Sequence, residues 1–393
     1  MLPLLWIEKI LFLFFVLQVG YLLFFAICSI FRYRPKFEKG KEHSFAILIP
    51  GYKEDRIIKE TVRRALDQDY PKHLFRVIAL ADQFKKETVA ELKAMGAEVL
   101  EVSFEKSTKA KSLNFGLQFL ADQKNIPEAV VILDADNLIQ DGVLAQFSGS
   151  LNAGSVAIQG HRTAKNTETP FAVLDAANEE IGNSIFRKGH RIAGLPSALI
   201  GSGMCFEFQL FVDLMADIHD VSGEDKLLEL KLNKSGIVIE YLPEAYILDE
   251  KVANAQNFSK QRTRWVGNQI YYLRTYFWEG FRHFLKTGRL GYFDKLIQFA
   301  LVFKVLLLGV LIPIGILDLF FHFPSSWDIL ALALSSSMLL SIPRRMYNKK
   351  LFMAIFQLPG AFFGMITALK RVNKDTVTQF EVTEKTVTSK KDT

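Results

Sequence analysis

No charged residue occurs between positions 10 and 30, and that run constrains the chain more than any other feature. Inside a hydrocarbon layer every backbone polar group must be satisfied within the segment, so ~20 such residues read as one membrane-crossing helix. A cleaved leader is the other reading, but the run is long for one, Glu8 precedes it, and no small-residue cleavage site follows. Arg32, Arg34, Lys36, Lys39 and Lys41 come directly after it, and the positive-inside rule then places residue 32 onward in the cytoplasm.

Half of the 393 residues are hydrophobic, and the excess lies in the first thirty residues and again after Leu296. The middle has ordinary globular composition, so the expected order is membrane, soluble domain, membrane. The net charge of +6 comes largely from the basic stretch after residue 31 and from Arg344, Arg345, Lys349 and Lys350. Charges beside apolar segments need no nucleic-acid partner to explain them. There are two cysteines, and Cys28 sits in the first apolar run, which argues against a disulfide framework or a thiolate metal site. Cys205 reads as a buried structural thiol.

Between residues 45 and 247, short apolar runs at 45–49, 76–80, 99–102, 129–133 and 155–159 alternate with helix-like stretches. Continuous apolar strands are buried on both faces, so this predicts a doubly covered, mostly parallel α/β sheet. The domain is expected over 40–265, after an anchor at 1–35. Next, Ile270, Leu273, Phe277, Phe281 and Phe284 share a helical face over 266–295, read as a helix in the membrane surface or a soluble amphipathic helix. Two spans are expected within 296–343, the first at 296–317 with Lys304 snorkelling or facing a polar path, the second at 327–342. Residues 351–370 are broken by Pro359 and Gly360 with basic residues on both sides, which suits an in-plane or re-entrant helix. A cytoplasmic tail would occupy 371–393.

Ligands of open α/β sheets sit beyond the carboxyl ends of strands. Tyr52, Lys53, Glu54 and Asp55 follow the first strand, and Asp82 ends the second. Asp134 and Asp136 follow the fourth. Carboxylates one residue apart can share a hard cation such as Mg²⁺ or Mn²⁺, which also grips phosphates, although an acidic loop that starts a helix reads the same. Lys109 gives a cation before a helix. Gly223, Glu224 and Asp225 open another, as caps or with Asp225 as a general base. Gln261, Arg264 and Trp265 could supply a hydrogen-bonding side chain, a bidentate phosphate ligand and a stacking wall, while interface anchoring is the plainer role for the indole.

Those residues in that order resemble the family 2 glycosyltransferases, especially the membrane-embedded synthases of cellulose, chitin, hyaluronan and poly-N-acetylglucosamine. Their pattern of separated aspartates followed by Gln-x-x-Arg-Trp is met by Asp82, Asp134 with Asp136, Asp225, then Gln261, Arg264 and Trp265. The resemblance implies an A-type glycosyltransferase fold with transmembrane and interfacial helices. It implies base and ribose contacts from Tyr52, Glu54 and Asp82, and nucleotide-sugar contacts from Lys109, Asp134 and the Glu224 segment. Asp136 with Asp134 would serve the metal, Asp225 would be the base, and the Gln261 group would meet diphosphate and acceptor. Phe380, Val382, Thr383 and Lys385 resemble the gating loop of cellulose synthases. Gly-Glu-Asp stands where Thr-Glu-Asp is usual, and the spans are fewer than in the large synthases.

The resemblance therefore implies an inverting transfer from a UDP-sugar to a membrane-held glycan or lipid acceptor, in synthesis of an extracellular or capsular polysaccharide. Single-sugar transfer to a lipid is the alternative, and an inactive scaffold or transporter subunit a third. The expected setting is the inner membrane with membrane lipids, and with a homo-oligomer or export subunits as further partners.

Overall fold

The computed structural model describes residues 2–221, 223–251 and 255–372. The tail motif with Thr383 and Lys385 lies outside the described residues. The charge-free run forms one helix, α1 (Leu2–Ile30). A single sheet follows, built from β1 (Phe45–Tyr52), β2 (Phe75–Asp82), β3 (Glu98–Val102), β4 (Ala129–Ile132), β5 (Leu138–Ile139), β6 (Ala157–Ala164), β7 (Met204–Glu207) and β8 (Ile239–Asp249). Their spatial order is β3-β2-β1-β4-β7-β6-β8-β5.

The first four strands are parallel, as their unbroken apolar sequences predict. Ile47 and Ile49 pack with Ile58 and Val62 on one face, while Ala46 and Leu48 pack with Leu113 and Leu117 on the other. Alternate residues of one strand thus feed two cores, and full burial of each large aliphatic side chain contributes roughly 1.5–3 kcal/mol. The remaining half is mixed, because β7 runs antiparallel to both β4 and β6 while β8 runs parallel to β6. Chain direction leaves no mark on the apolar pattern of a four-residue strand, so this reversal was not legible.

Four helices position the site. They are α2 (Lys109–Ala121), α3 (Pro170–Gly182), α4 (Glu224–Ser235) and α5 (Ala255–Thr287). A π-helical turn (Asn183–Gly189) continues α3. After these come α6 (Leu290–Ala300), α7 (Lys304–Phe321), α8 (Trp327–Ser341), α9 (Lys349–Ile355) and α10 (Leu358–Arg371).

Two of the sequence boundaries move. The helix expected to begin after Trp265 already contains Gln261, Arg264 and Trp265, and its apolar face is half-buried against α6. Phe277, Phe281 and Phe284 each contact the Phe293 ring of α6, and Tyr272 packs with Tyr292 and Leu296. The span read as starting at Leu296 starts at Lys304 instead. Asp294 and Lys295 are buried with polar partners, so α6 packs with the sheet domain and the chain extends at Leu301 before turning into α7. Pro3–Ile30 and Lys304–Phe321 are long and apolar enough to cross a membrane. Trp327–Ser341 is shorter, and α9 and α10 meet at a 49° bend.

Candidate active site

The carboxyl ends of β1, β2 and β4 open into one cavity of about 730 Å³. Its rim carries Tyr52, Glu54, Asp82, Lys109, Asp134 and Asp136, and Asp225, Gln261, Arg264 and Trp265 face the same space. The structure thus brings together residues spread over more than two hundred positions, with Thr383 and Lys385 outside the described part. Parallel register explains the first pair: Tyr52 lies opposite Asp82, and the Lys53 amide donates to the Asp82 carbonyl at 3.0 Å. Burial pushes the Asp82 carboxyl above its usual range, against the opposing pull of Ser107 and Lys53.

The Lys109 ammonium sits at the first turn of α2, which Thr108 caps by accepting from the Lys111 amide. It donates to Asp134 Oδ1 at 2.6 Å and to the Gly201 carbonyl at 2.5 Å, and pairs with Glu224 Oε1 at 3.2 Å. Burial alone would discharge this amine, but Asp134 and Glu224 outweigh it and hold the ammonium above its ordinary range. Lys109 therefore ties β4, α4 and the loop before β7 together. A phosphate would have to compete with three internal acceptors.

Glu224 and Asp225 open α4 behind Gly223, whose left-handed φ of 80° fits glycine. A Cβ there would meet Asn268 Nδ2 at 2.6 Å, so α4 and α5 approach through that position. Glu224 is buried, which raises its carboxyl, and neighbouring Asp225 adds to the rise against Lys109. Burial also acts upward on Asp225. Lys226, Lys109 and Lys295 outweigh it, and the Asp225 carboxyl is held below the ordinary range. Lys226 Nζ lies 3.0 Å from Asp225 Oδ2. Of the two adjacent acids, Asp225 is the one whose carboxyl is held below its ordinary range, and Glu224 the one raised.

Asp136 lines the cavity, and its Oδ1 accepts from Asn137 Nδ2 at 3.0 Å. Asn137 Nδ2 also donates to Asp249 Oδ1 at 2.9 Å. Among the described residues no three His, Cys, Asp or Glu side chains gather as a complete cage. Mg²⁺ and Mn²⁺ in phosphate chemistry commonly use one or two carboxylates plus substrate oxygens, so a single strand-end carboxylate fits such an ion.

A charged layer beneath the site escaped the sequence reading. Arg162 pairs with Glu179 at 2.9 Å, Lys251 with Glu179 at 3.1 Å and Asp249 at 2.7 Å, and Arg262 with Asp175 at 2.6 Å. The Arg262 guanidinium lies 3.9 Å over the Trp265 ring, fixing the indole that borders the cavity. These partners are 72 to 87 positions apart where α3 is involved with Lys251 and Arg262, and no local pattern joins them.

Residues 43–268, more than half of the chain, match the profile of the family described as Glycosyltransferase like family 2. An N-acetylglucosaminyltransferase of Rhizobium meliloti (strain 1021) is 25% identical over 240 residues, which cover 56% of this chain and 54% of that protein. The chain thus matches about half the length of that relative. Among solved structures, the mannosyltransferase PcManGT from Pyrobaculum calidifontis, in complex with GDP-Man and Mn²⁺, superposes with a TM-score of 0.51 at 15% identity. That superposition covers 83% of this chain and 94% of the other, and it shows that the two share the A-type glycosyltransferase fold.

Proposed function

The chain belongs to the family 2 glycosyltransferases, and from that premise we propose that it moves a sugar from a UDP-sugar to a hydroxyl of a membrane-held acceptor, with inversion. The observation that carries this reading is the pairing at the head of α4. Glu224 is engaged by Lys109, while Asp225, 3.0 Å from Lys226, borders the cavity.

In the proposed step the acceptor hydroxyl oxygen bonds to the anomeric carbon as the bond from that carbon to the diphosphate breaks. The hydroxyl proton goes to Asp225, and nucleoside diphosphate leaves with the electron pair. Tyr52, Glu54 and Asp82 would hold base and ribose at the strand ends. Asp136 would hold Mg²⁺ or Mn²⁺ with substrate phosphate oxygens, as the Mn²⁺ complex of the mannosyltransferase suggests, and such an ion neutralises developing charge on a leaving diphosphate. Arg264 and Gln261 would meet that diphosphate, with Trp265 bordering the sugar. Catalysis on the cytoplasmic side of the inner membrane is part of this reading, from the basic residues after α1.

Extension of a glycan for a surface polysaccharide is a second reading, favoured by the tail motif of Phe380, Thr383 and Lys385. Incubating the purified full chain with a panel of UDP- and GDP-sugars and membrane extract, then weighing the products, tests both. One predominant UDP-sugar consumed with a product heavier by one residue supports single transfer, and a ladder supports polymer. No nucleoside diphosphate release from any donor overturns the proposal.

A further inference from the structure

The cavity does not end at the catalytic carboxylates. Beyond Gln261 and Arg264 it continues between α3 and the apolar helices as one space. Leu308 and Ile312 of α7, Met338 of α8, and Ala361 and Met365 of α10 line its inner part. On α7 to α10 the lining beyond Lys304 is apolar apart from Ser335. A glycan there would lose its hydrogen bonds to water with few replacements. An alkyl chain gains by the same transfer.

Cations stand where the polar and apolar parts join. Lys304 is the first residue of α7 and lines the cavity. Its ammonium makes no hydrogen bond or ion pair among the described residues, and the Phe186 ring lies 5.4 Å away. Arg187, in the π-helical turn, is buried against the same space. It donates from Nη1 to Asn183 at 2.8 Å, while its Nε has no hydrogen-bond partner. The first amides of α7, at Lys304 and Val305, add a helix N-terminus to this junction. A buried cation without a counter-ion is costly unless a ligand supplies the charge. Anionic side chains nearby are already paired, Glu179 with Arg162 and Lys251 and Asp175 with Arg262.

We propose that the acceptor is an anionic lipid with three parts matched to this cavity: a hydroxyl-bearing head near Asp225, a phosphate group at Lys304 and Arg187, and an alkyl chain between α7, α8 and α10. The proposal rests on the glycosyl-transfer reading for its outer end, and the inner end stands on Lys304, Arg187 and the apolar lining. The step is the displacement given above, with the lipid head supplying the hydroxyl oxygen.

Hexadecyl phosphate, hexadecanol and inorganic phosphate serve as probes, each titrated into the full chain in phosphatidylcholine nanodiscs, with binding of a UDP-sugar measured on the same preparation. Hexadecyl phosphate should bind saturably and at least about 10-fold more tightly than either other probe, the factor expected from one charge-assisted hydrogen bond. Lys304→Gln should weaken hexadecyl phosphate by at least about 10-fold, leave hexadecanol unchanged, and leave UDP-sugar affinity unchanged. Lys304→Arg, which keeps the cation, should retain binding. Equal affinity for inorganic phosphate and hexadecyl phosphate would mean a plain anion site and overturn the proposal, as would equal affinity for hexadecanol. Loss of UDP-sugar binding in Lys304→Gln would assign Lys304 to the donor and overturn it too. UDP-sugar binding with no hexadecyl phosphate binding in the wild type removes the lipid proposal alone. Hexadecyl phosphate binding with no nucleotide-sugar binding removes the transferase reading, and the acceptor assignment with it.

Discussion

Asp225, as the proposed base, must be ionised before it can accept a proton, and three lysines hold its carboxyl below the ordinary range. Its ionised form therefore persists as pH falls, and the transfer rate should stay level down to about pH 4, the usual aspartate value, before declining. Asp225→Asn should keep UDP-sugar affinity and lower the rate at least ~100-fold, read by calorimetry and turnover on one preparation. Poor binding with normal turnover at saturation would make Asp225 a donor contact or a cap instead. For the metal, excess chelator should stop transfer and Mn²⁺ should restore it, whereas Asp136→Ala should stay inactive with Mn²⁺ present. Turnover that survives chelation would remove the metal from the mechanism. These residues were legible in the sequence because each stands at a strand end or a helix start, where local pattern reports position. Arg162, Glu179, Lys251 and Asp175 were not, since strand, helix and loop meet there only through the tertiary fold. Lys109 was legible as a cation, but its engagement with Asp134, Gly201 and Glu224 was not.

At the scale of elements, the carbonyl that receives Lys109 belongs to a loop whose shape depends on glycine. Gly203 has φ +64, its amide donates to the Ile132 carbonyl at 2.8 Å, and a Cβ would lie 2.5 Å from Ile247 Cγ1. Gly154 has φ +82 with nothing near a Cβ. Gly154→Ala should therefore cost only the backbone strain, about 1 kcal/mol, and Gly203→Ala about 2–4 kcal/mol from strain and clash together. Thermal unfolding of both variants checks this; equal shifts would mean that the Ile247 side chain gives way freely. The parallel half of the sheet and α1 were legible because their apolar runs are continuous. The boundaries of α5 to α7 were not, because Phe277, Phe281 and Phe284 present the same stripe to a membrane as to the Phe293 ring.

Across the whole molecule, the apolar helices are locked to the sheet domain by polar side chains. Arg345, following α8, donates to Glu180 of α3 at 2.8 Å, where Thr163 donates at 2.6 Å and His161 lies within 3.3 Å. Burial pushes the Glu180 carboxyl up, but His161, Thr163 and Arg345 outweigh it and bring it from 4.5 to about 2. The stability this contributes is fully present above pH 4.5 and lost as pH falls towards about 2, of order 3 kcal/mol. Glu180→Gln should flatten the fall in unfolding temperature across that window, and an unchanged slope would place the acid sensitivity elsewhere. At the other end, the Tyr21 hydroxyl of α1 donates to Asp294 at 2.8 Å and lies 2.9 Å from His190 Nε2, with Phe25 stacked on the imidazole at 3.7 Å. Tyr21 precedes Asp294 by 273 residues. A ribosome adding about 5–20 residues per second takes roughly 14–55 s between the two. During that interval the first helix has left the exit tunnel while its carboxylate partner has not yet been made. Its tyrosine must wait without that partner, so a segment synthesised long before α6 reaches these native contacts only once α6 has emerged.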